Sequence, residues 1–483
     1  MDGAALEAVL RRAWGTTVQV TGLSRLAGGA SRETWAFDAT PGGGPDGGSA
    51  PVPLVLRRDR PDDADAAGMA REAAAFTAAA AAGVPVPRLH AHGDGAVPAS
   101  EDGGAPASGG PAVGTPFLIV DRIDGETIPR RLLRDERWAA VRPRLARELG
   151  RVLARIHTIP PADVLTPGVG DHLGTGDRLD ALRDRHDRFG EPNPALELVF
   201  RWLELHRPPV VEPHLVHGDF RTGNLLIGPG PDGTDGTDGV LGVLDWELVH
   251  AGDPMEDLGW LCGKAWRFGS PEPVGGFGPY DELFDGYAEV AGTRPDPGVV
   301  RWWEVFAAVH WAVICRMQAE RHLSGTERTV EMAVLGRRAA ESEHDALLAL
   351  GLTAPAAVPD LLDEPARAAD LHGRPTVDEL LEAVSGFLTD ELPDALDDAR
   401  LRFSARVAAN ALAIARRELR AGPAHDVAHR ERLAALGVTG DTALAAAIRA
   451  GGMDGRADVV DAVRADVVAR LRVANPRHTG RPG

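Results

Sequence analysis

The chain has 483 residues, 44% of them apolar and 25% charged, with a formal net charge of −19. That length suggests roughly two or three domains rather than one core, and the acidic balance disfavours non-specific binding to nucleic acid or anionic lipid. The two cysteines, Cys262 and Cys315, exclude a disulfide framework or a cysteine-rich zinc site.

The N-terminus, "MDGAALEAVLRRAW", carries acids early and has no uninterrupted apolar stretch, so it does not read as a signal peptide. It reads as an amphipathic helix capped by Asp2, with Leu6, Val9 and Leu10 on one face. "QVTGLSRL" and "ETWAFDA" alternate as a strand pair around "AGGAS", and "PLVLRRD" is a third strand. The alanine-rich segment "DAAGMAREAAAFTAAAAAG" is a helix stopped by Gly83 and Pro85, and "PRLHAHG" and "PFLIVDRIDG" are strand-like. Insertions rich in Gly, Pro, Asp and Ser begin at Thr40, Gly93 and Gly228, each between strand-like segments.

From Ile128 the pattern turns helical, and "RPRLARELGRVLARIHTI" places Leu145, Leu149, Val152, Leu153 and Ile156 at helical spacing. Next comes "HGDFRTGNLLI", whose apolar end pairs with "GVLDW" as a short hairpin. Further helices run from about Pro254 to Leu350, and a sparse linker follows. In the last hundred or so residues, "PTVDELLEAVSGFL" opens with a capping box, Thr376 to Glu379. It places Leu380, Leu381, Val384, Phe387 and Leu388 on one face. "DTALAAAIRAGG" is a helix capped by Asp441, and no titratable cluster stands out, so this part reads as a packing or homodimerisation module. The expected division is residues 1–121, 122–350, a linker at 351–370 and a helical domain at 371–475. No apolar run approaches the length of a bilayer span, so the expectation is a cytoplasmic protein with no membrane or nucleic-acid partner.

The chemistry concentrates in "HGDFRTGNLLI". Asp219 and Asn224 lie five residues apart, and Asp245 ends the strand "VLGVLD". If the two strands pair, Asn224 and Asp245 fall at the same end of the hairpin. Two oxygen ligands there suit Mg²⁺, which completes its shell with water and phosphates. Asp219 is then free to face an incoming hydroxyl as a base or orienting group.

This layout resembles the protein-kinase-like phosphotransferases, and "HGDFRTGNLLI…GVLDWE" is similar to the aminoglycoside phosphotransferase and choline kinase superfamily. Within it, the chain most resembles the kinase-like domains related to those fused to some acyl-CoA dehydrogenases, over roughly Leu23 to Leu350. The resemblance implies an α+β, bilobal fold: a small antiparallel-sheet N-lobe and a mainly helical C-lobe, followed here by a C-terminal all-α domain. It implies transfer of the γ-phosphoryl of ATP, with Mg²⁺, to a small-molecule hydroxyl. Gly28, Gly29 and Ser31 match the turn that covers the phosphates. Arg57 stands where the family carries a lysine that grips the phosphates, and Glu72 is its matching partner. The chain has a single lysine, Lys264, so that replacement does not signal lost activity. At the hinge, the carbonyl of Asp121 and the N–H of Ile123 would hold the adenine, with ATP preferred to GTP. His217 and Asp257 match positions that support the catalytic loop, while Glu247 is either a metal-side or an acceptor-side acid. Trp260 and His157 read as core.

The acceptor stays open at this stage. A choline-like or amino-sugar acceptor would call for acids and aromatic faces, and a hydroxyacyl-CoA for cations such as Lys264 and Arg267. A catalytically silent nucleotide-binding protein is the alternative. A hydrolase using His217 and Asp219 as metal ligands would leave the glycine turn and the Arg57–Glu72 pairing unexplained.

Overall fold

The structure, a computed structural model, describes residues 1–26, 32–42, 50–95, 113–165, 177–228, 239–363 and 373–480. In chain order the elements are α1 (Gly3–Trp14), β1 (Val18–Arg25), β2 (Arg32–Pro41), β3 (Val52–Asp59), α2 (Ala66–Ala81), β4 (Leu89–Gly93) and β5 (Phe117–Asp121). Next are α3 (Pro129–Arg134), α4 (Arg142–His157), α5 (Arg178–Asp187), α6 (Pro194–Leu205), β6 (His214–Val216), β7 (Leu225–Gly228), β8 (Gly239–Val243) and β9 (His250–Gly252). The remainder is helical: α7 (Met255–Cys262), α8 (Tyr280–Ala291), α9 (Pro297–Leu323), α10 (Val330–Leu335), α11 (Ala339–Ala349), α12 (Val377–Gly386), α13 (Ala399–Leu436), α14 (Asp441–Arg449) and α15 (Ala457–Ala474). This is the α+β architecture expected from the resemblance, an antiparallel N-terminal sheet with helices after it and a C-terminal helical region.

Contacts divide the chain into two compact units. The first comprises Met1–Thr175, Val210–Leu261 and Glu272–Asp296; the second comprises Gly176–Pro209, Cys262–Pro271 and Pro297–Gly483.

In the first unit, an antiparallel sheet runs in the order β1-β2-β3-β5-β4. Strand alternation sends Leu54 and Leu56 of β3 into a core with Phe37, Phe117, Ile119 and the α1 residues Leu6 and Leu10. Arg57, the residue after Leu56, falls on the opposite face. Asp2 caps α1, its side chain accepting the Ala4 N–H at 3.0 Å. The Glu126 N–H donates to the Ile227 carbonyl at 2.7 Å and the Glu126 carbonyl accepts the Ile227 N–H at 3.0 Å, tying the segment after β5 to β7.

Helices α4 and α8 approach through glycine. A Cβ on Gly150 would lie 2.1 Å from the Leu283 carbonyl oxygen, and one on Gly286 would lie 1.9 Å from that of Arg147. No side chain fits between these backbones, so the two glycines set the distance between the helices. Arg147 reaches across to Glu289 at 2.7 Å and Glu282 at 3.1 Å at the rim.

The second unit is helical. The C-terminal helices do not enclose a core by themselves: Leu444, Ile448, Val459, Val467 and Leu471 pack in one cluster with Ala195, Ala340 and Leu347 from upstream helices. Helix α9 is long and apolar enough to cross a membrane by length and composition alone, but 67% of its apolar window is buried inside the protein, as in a core helix. The capping box forms, with Glu379 accepting the Thr376 N–H at 2.7 Å and Thr376 Oγ1 accepting the Glu379 N–H at 3.3 Å. Leu380 and Val384 on α12, and Phe387 just past its end, are exposed.

Two sequence expectations are corrected here. Asp441 is not the cap of α14; Gly440 holds that position with extended backbone, and Asp441 instead bonds His429 Nε2 at 3.1 Å. A titratable cluster does exist in the C-terminal region, where His429 lies 3.1 Å from Asp441 and 3.0 Å from Asp466, and a second reaches back upstream of it. Asp345 Oδ1 receives His478 Nε2 at 2.7 Å and Lys264 Nζ at 3.1 Å, all three residues buried or nearly so. It escapes a linear reading because its members come from segments far apart in the chain.

Candidate active site

The catalytic-type loop is built by backbone geometry before any side chain acts. Gly218 has φ +82°, and a Cβ there would lie 2.5 Å from the Leu248 carbonyl oxygen. Only glycine meets both conditions. Asp257, buried on α7, accepts the N–H of His217 at 2.8 Å and that of Gly218 at 3.0 Å. His157 Nε2 reaches the same carboxylate at 3.2 Å, and its Nδ1 lies 3.0 Å from the Tyr287 hydroxyl. A polar chain thus runs from α8 through α4 and α7 to the loop. His157, expected only to pack, is a link in it.

His217 is fully buried and clamps the loop to the end of β8. Its Nε2 lies 3.1 Å from the Leu244 carbonyl, and its Nδ1 lies 3.2 Å from the Asp219 nitrogen. The Asp219 N–H can only donate, so Nδ1 accepts and Nε2 carries the proton. The ring also packs 4.6 Å from Trp246.

The β7–β8 register pairs Leu225 with Val243, and the Leu244 N–H donates to the Asn224 carbonyl at 2.9 Å. Asn224 and Asp245 therefore meet at the same end of the hairpin. Asn224 Nδ2 donates to Asp219 Oδ2 at 2.7 Å, which leaves the amide oxygen as the end able to act as a ligand. Trp260 Nε1 donates to Asp219 Oδ1 at 2.9 Å, and Arg221 Nε lies 2.9 and 3.1 Å from the two Asp219 oxygens. Asp219 is thus fixed by three donors from three residues. Trp260, read as core, is buried and contributes its indole N–H to the site. Arg221 stood inside the quoted motif, a basic residue two positions after the acid, and was not singled out.

On the sheet side, Arg57 Nη1 donates to Glu72 Oε1 at 2.7 Å and Nη2 donates to Asp245 Oδ1 at 2.8 Å. Glu72 is fully buried and is shared with Arg32, which also holds Asp59 at 3.0 Å. Arg32 was not foreseen, although it directly follows the glycine turn. Burial opposes the charge on Arg57, but Glu72 and Asp245 outweigh it and raise the guanidinium pKa. Burial would likewise raise the Asp245 carboxyl, yet the Arg57 charge and hydrogen bond bring it below the usual range. Glu247 is pushed up to about 7, first by burial and then by Asp245. Asp245 has φ +68°, a left-handed conformation uncommon outside glycine.

These donors fit Mg²⁺. Asp245 and the Asn224 amide oxygen are hard oxygen ligands at the same end of the hairpin, and the charge on Asp245 helps to raise the Glu247 carboxyl, as a site built to receive a cation would.

Several expected positions stand elsewhere. Gly28, Gly29 and Ser31 lie outside the described residues. Asp121 ends β5, where its carboxylate lies 2.6 Å from His90 Nε2; Ile123 follows outside any helix or strand. Lys264 and Arg267 belong to the second unit, where both are buried, Lys264 paired with Asp345 and Arg267 with Glu304 at 2.8 Å. These ion pairs already engage the charge that an anionic acceptor would need.

A family model, a domain of unknown function (DUF6285), matches residues 394–478. Acyl-CoA dehydrogenase family member 10 of Mus musculus is 30% identical over 218 residues, 43% of this chain and 18% of that protein. Acyl-CoA dehydrogenase family member 11 of Gallus gallus is 31% identical over 152 residues, 30% of this chain and 18% of that protein. The chain thus spans less than a fifth of the length of these curated relatives. The crystal structure of a putative aminoglycoside phosphotransferase from Ralstonia eutropha JMP134 superposes with a TM-score of 0.53 at 22% identity, covering 72% of this chain and 98% of that one, which shows a shared fold. The phosphotransferase enzyme family model matches residues 22–303, more than half of the sequence, and the chain belongs to that family.

Proposed function

We propose that the site transfers the γ-phosphoryl group of ATP to a hydroxyl of a small metabolite. The observation that carries this reading is the meeting of Asp219, Asn224 and Asp245 at one end of the β7–β8 hairpin, with Arg57 reaching Asp245 from β3. Asp219, held by Trp260, Arg221 and Asn224, orients the acceptor hydroxyl and takes up its proton as the oxygen attacks. Asn224 and Asp245 would hold Mg²⁺, which would supply positive charge to offset that of the phosphates. Arg57 grips the phosphates and is itself positioned by Glu72. Gly28, Gly29 and Ser31 cover the phosphates, and the backbone of Asp121 and Ile123 receives the adenine. Such catalysis is mainly positioning and charge stabilisation.

For the acceptor, the similarity to acyl-CoA dehydrogenase family members favours a hydroxyacyl thioester over an amino-sugar or choline-like compound. The Arg57–Asp245 ion pair is the one observation that favours a silent nucleotide-binding protein instead, since it occupies the metal carboxylate. Incubation with Mg-ATP and a pool of hydroxylated metabolites including hydroxyacyl-CoAs, followed by mass spectrometry, separates the two. A phosphorylated product with the wild type and none with Asp219→Asn supports the kinase. Nucleotide binding by both proteins, without product from either across all acceptor classes, supports the silent reading.

A further inference from the structure

The fork of Arg57 is divided between two carboxylates with different duties. Nη1 is on Glu72, which is fully buried and also held by Arg32; Nη2 is on Asp245, whose side chain is 28% exposed. The Glu72 end is anchored by a second arginine and a closed environment. The Asp245 end lies at the more open side of the site. A guanidinium can divide itself in this way because its donors are rigidly splayed, whereas an ammonium is a single point of charge.

We propose that Arg57 is the resting counter-ion of Asp245, which must release its Nη2 arm to nucleotide phosphates before a divalent cation can bind tightly. This inference rests on the kinase reading of the site and adds an order to it: phosphate and cation enter together, and the cation alone is held off. Glu72 and Arg32 keep the base of the guanidinium in place while its outer arm changes partner. The driving exchange is one charge-assisted pair for another, carboxylate for phosphate, so it costs little when nucleotide is present and is unfavourable when it is not.

The test reads cation binding and does not depend on turnover. Mn²⁺ binding is followed by electron paramagnetic resonance, with and without a non-hydrolysable ATP analogue, in wild type, Arg57→Gln, Arg57→Lys and Arg58→Gln. Arg58 sits next to Arg57 on β3 but pairs with Glu33, so its variant removes one charge without touching Asp245. Without nucleotide, Arg57→Gln is expected to bind Mn²⁺ about tenfold or more tightly than wild type. Arg57→Lys, which keeps the charge and a partner for Glu72, moves in the same direction, and Arg58→Gln stays near wild type. Wild-type affinity in Arg57→Gln, or an equal gain in Arg58→Gln, overturns the inference while leaving the kinase reading intact if the analogue still recruits Mn²⁺. Failure of every protein to bind Mn²⁺ even with the analogue removes both.

Discussion

The indole nitrogen of Trp260 donates a 2.9 Å hydrogen bond to Oδ1 of Asp219. An aromatic residue on a helix thereby helps to fix the rotamer of the acid to which the proposed function gives the acceptor hydroxyl. Phenylalanine at this position keeps most of the packing and removes the donor. Trp260→Phe should lower kcat/KM about ten- to a hundredfold, the worth of one hydrogen bond to a charged group, while thermal unfolding shifts by a few degrees only. An unchanged kcat/KM would return Trp260 to the core.

Asp257 is the second acid on which the loop depends, and its place is behind the chemistry. It accepts two backbone N–H groups and faces His157, so an amide there would turn a donor toward other donors. Asp257→Asn should cost about 1–3 kcal/mol of stability and speed hydrogen exchange at His217 and Gly218. Global destabilisation with unchanged local protection would argue against a bracing role.

The glycine contact between α4 and α8 makes a sharper demand. Gly150→Ala places a methyl against the Leu283 carbonyl, and Gly286→Ala places one against that of Arg147. Each variant should lose about 1–3 kcal/mol or more in denaturant unfolding. Because α4 carries His157 and α8 carries Tyr287, loop support is disturbed as well. Gly386→Ala at the end of α12, where the added Cβ would meet only the Asp390 carboxylate at 3.9 Å, is the matched control and should be neutral or stabilising.

In the second unit, burial alone would raise the Asp345 carboxyl, but His478, His344 and Lys264 outweigh it and hold it well below the usual carboxylate range. A folded pKa lower than the unfolded one means stability that is present above the unfolded value, about 3.9, and is lost as pH falls toward the folded one. Acid unfolding of the wild type should therefore steepen below about pH 4, and Asp345→Asn should flatten that slope. At neutral pH the same variant should cost about 3–5 kcal/mol, because it removes the charged acceptor that Lys264 and His478 share.

What could be read from the sequence followed from local rules. The strand around Arg57, the hairpin that joins Asn224 to Asp245 and the capping box at Thr376 each depend on alternation, short-range pairing or i to i+3 geometry. What could not be read depends on where side chains from distant segments converge. Trp260 looks like any apolar helix residue until its N–H finds Asp219, and Arg32 gains meaning only from Glu72, forty residues on. Lys264 and Arg267 showed the converse error: cations near an expected pocket proved to be committed to Asp345 and Glu304. Sequence supplies charge, and only the fold supplies the partner.

The placement of arginine at position 57 also decides how such a protein can be detected. Reagents that reveal nucleotide sites by acylating a phosphate-contacting lysine would meet a guanidinium at Arg57, and the one lysine of the chain, Lys264, is buried against Asp345. A survey of cell extracts built on amine acylation would pass over the proposed nucleotide site even at full occupancy. Dicarbonyl reagents directed at arginine, with protection by nucleotide as the readout, are the chemistry suited to finding it.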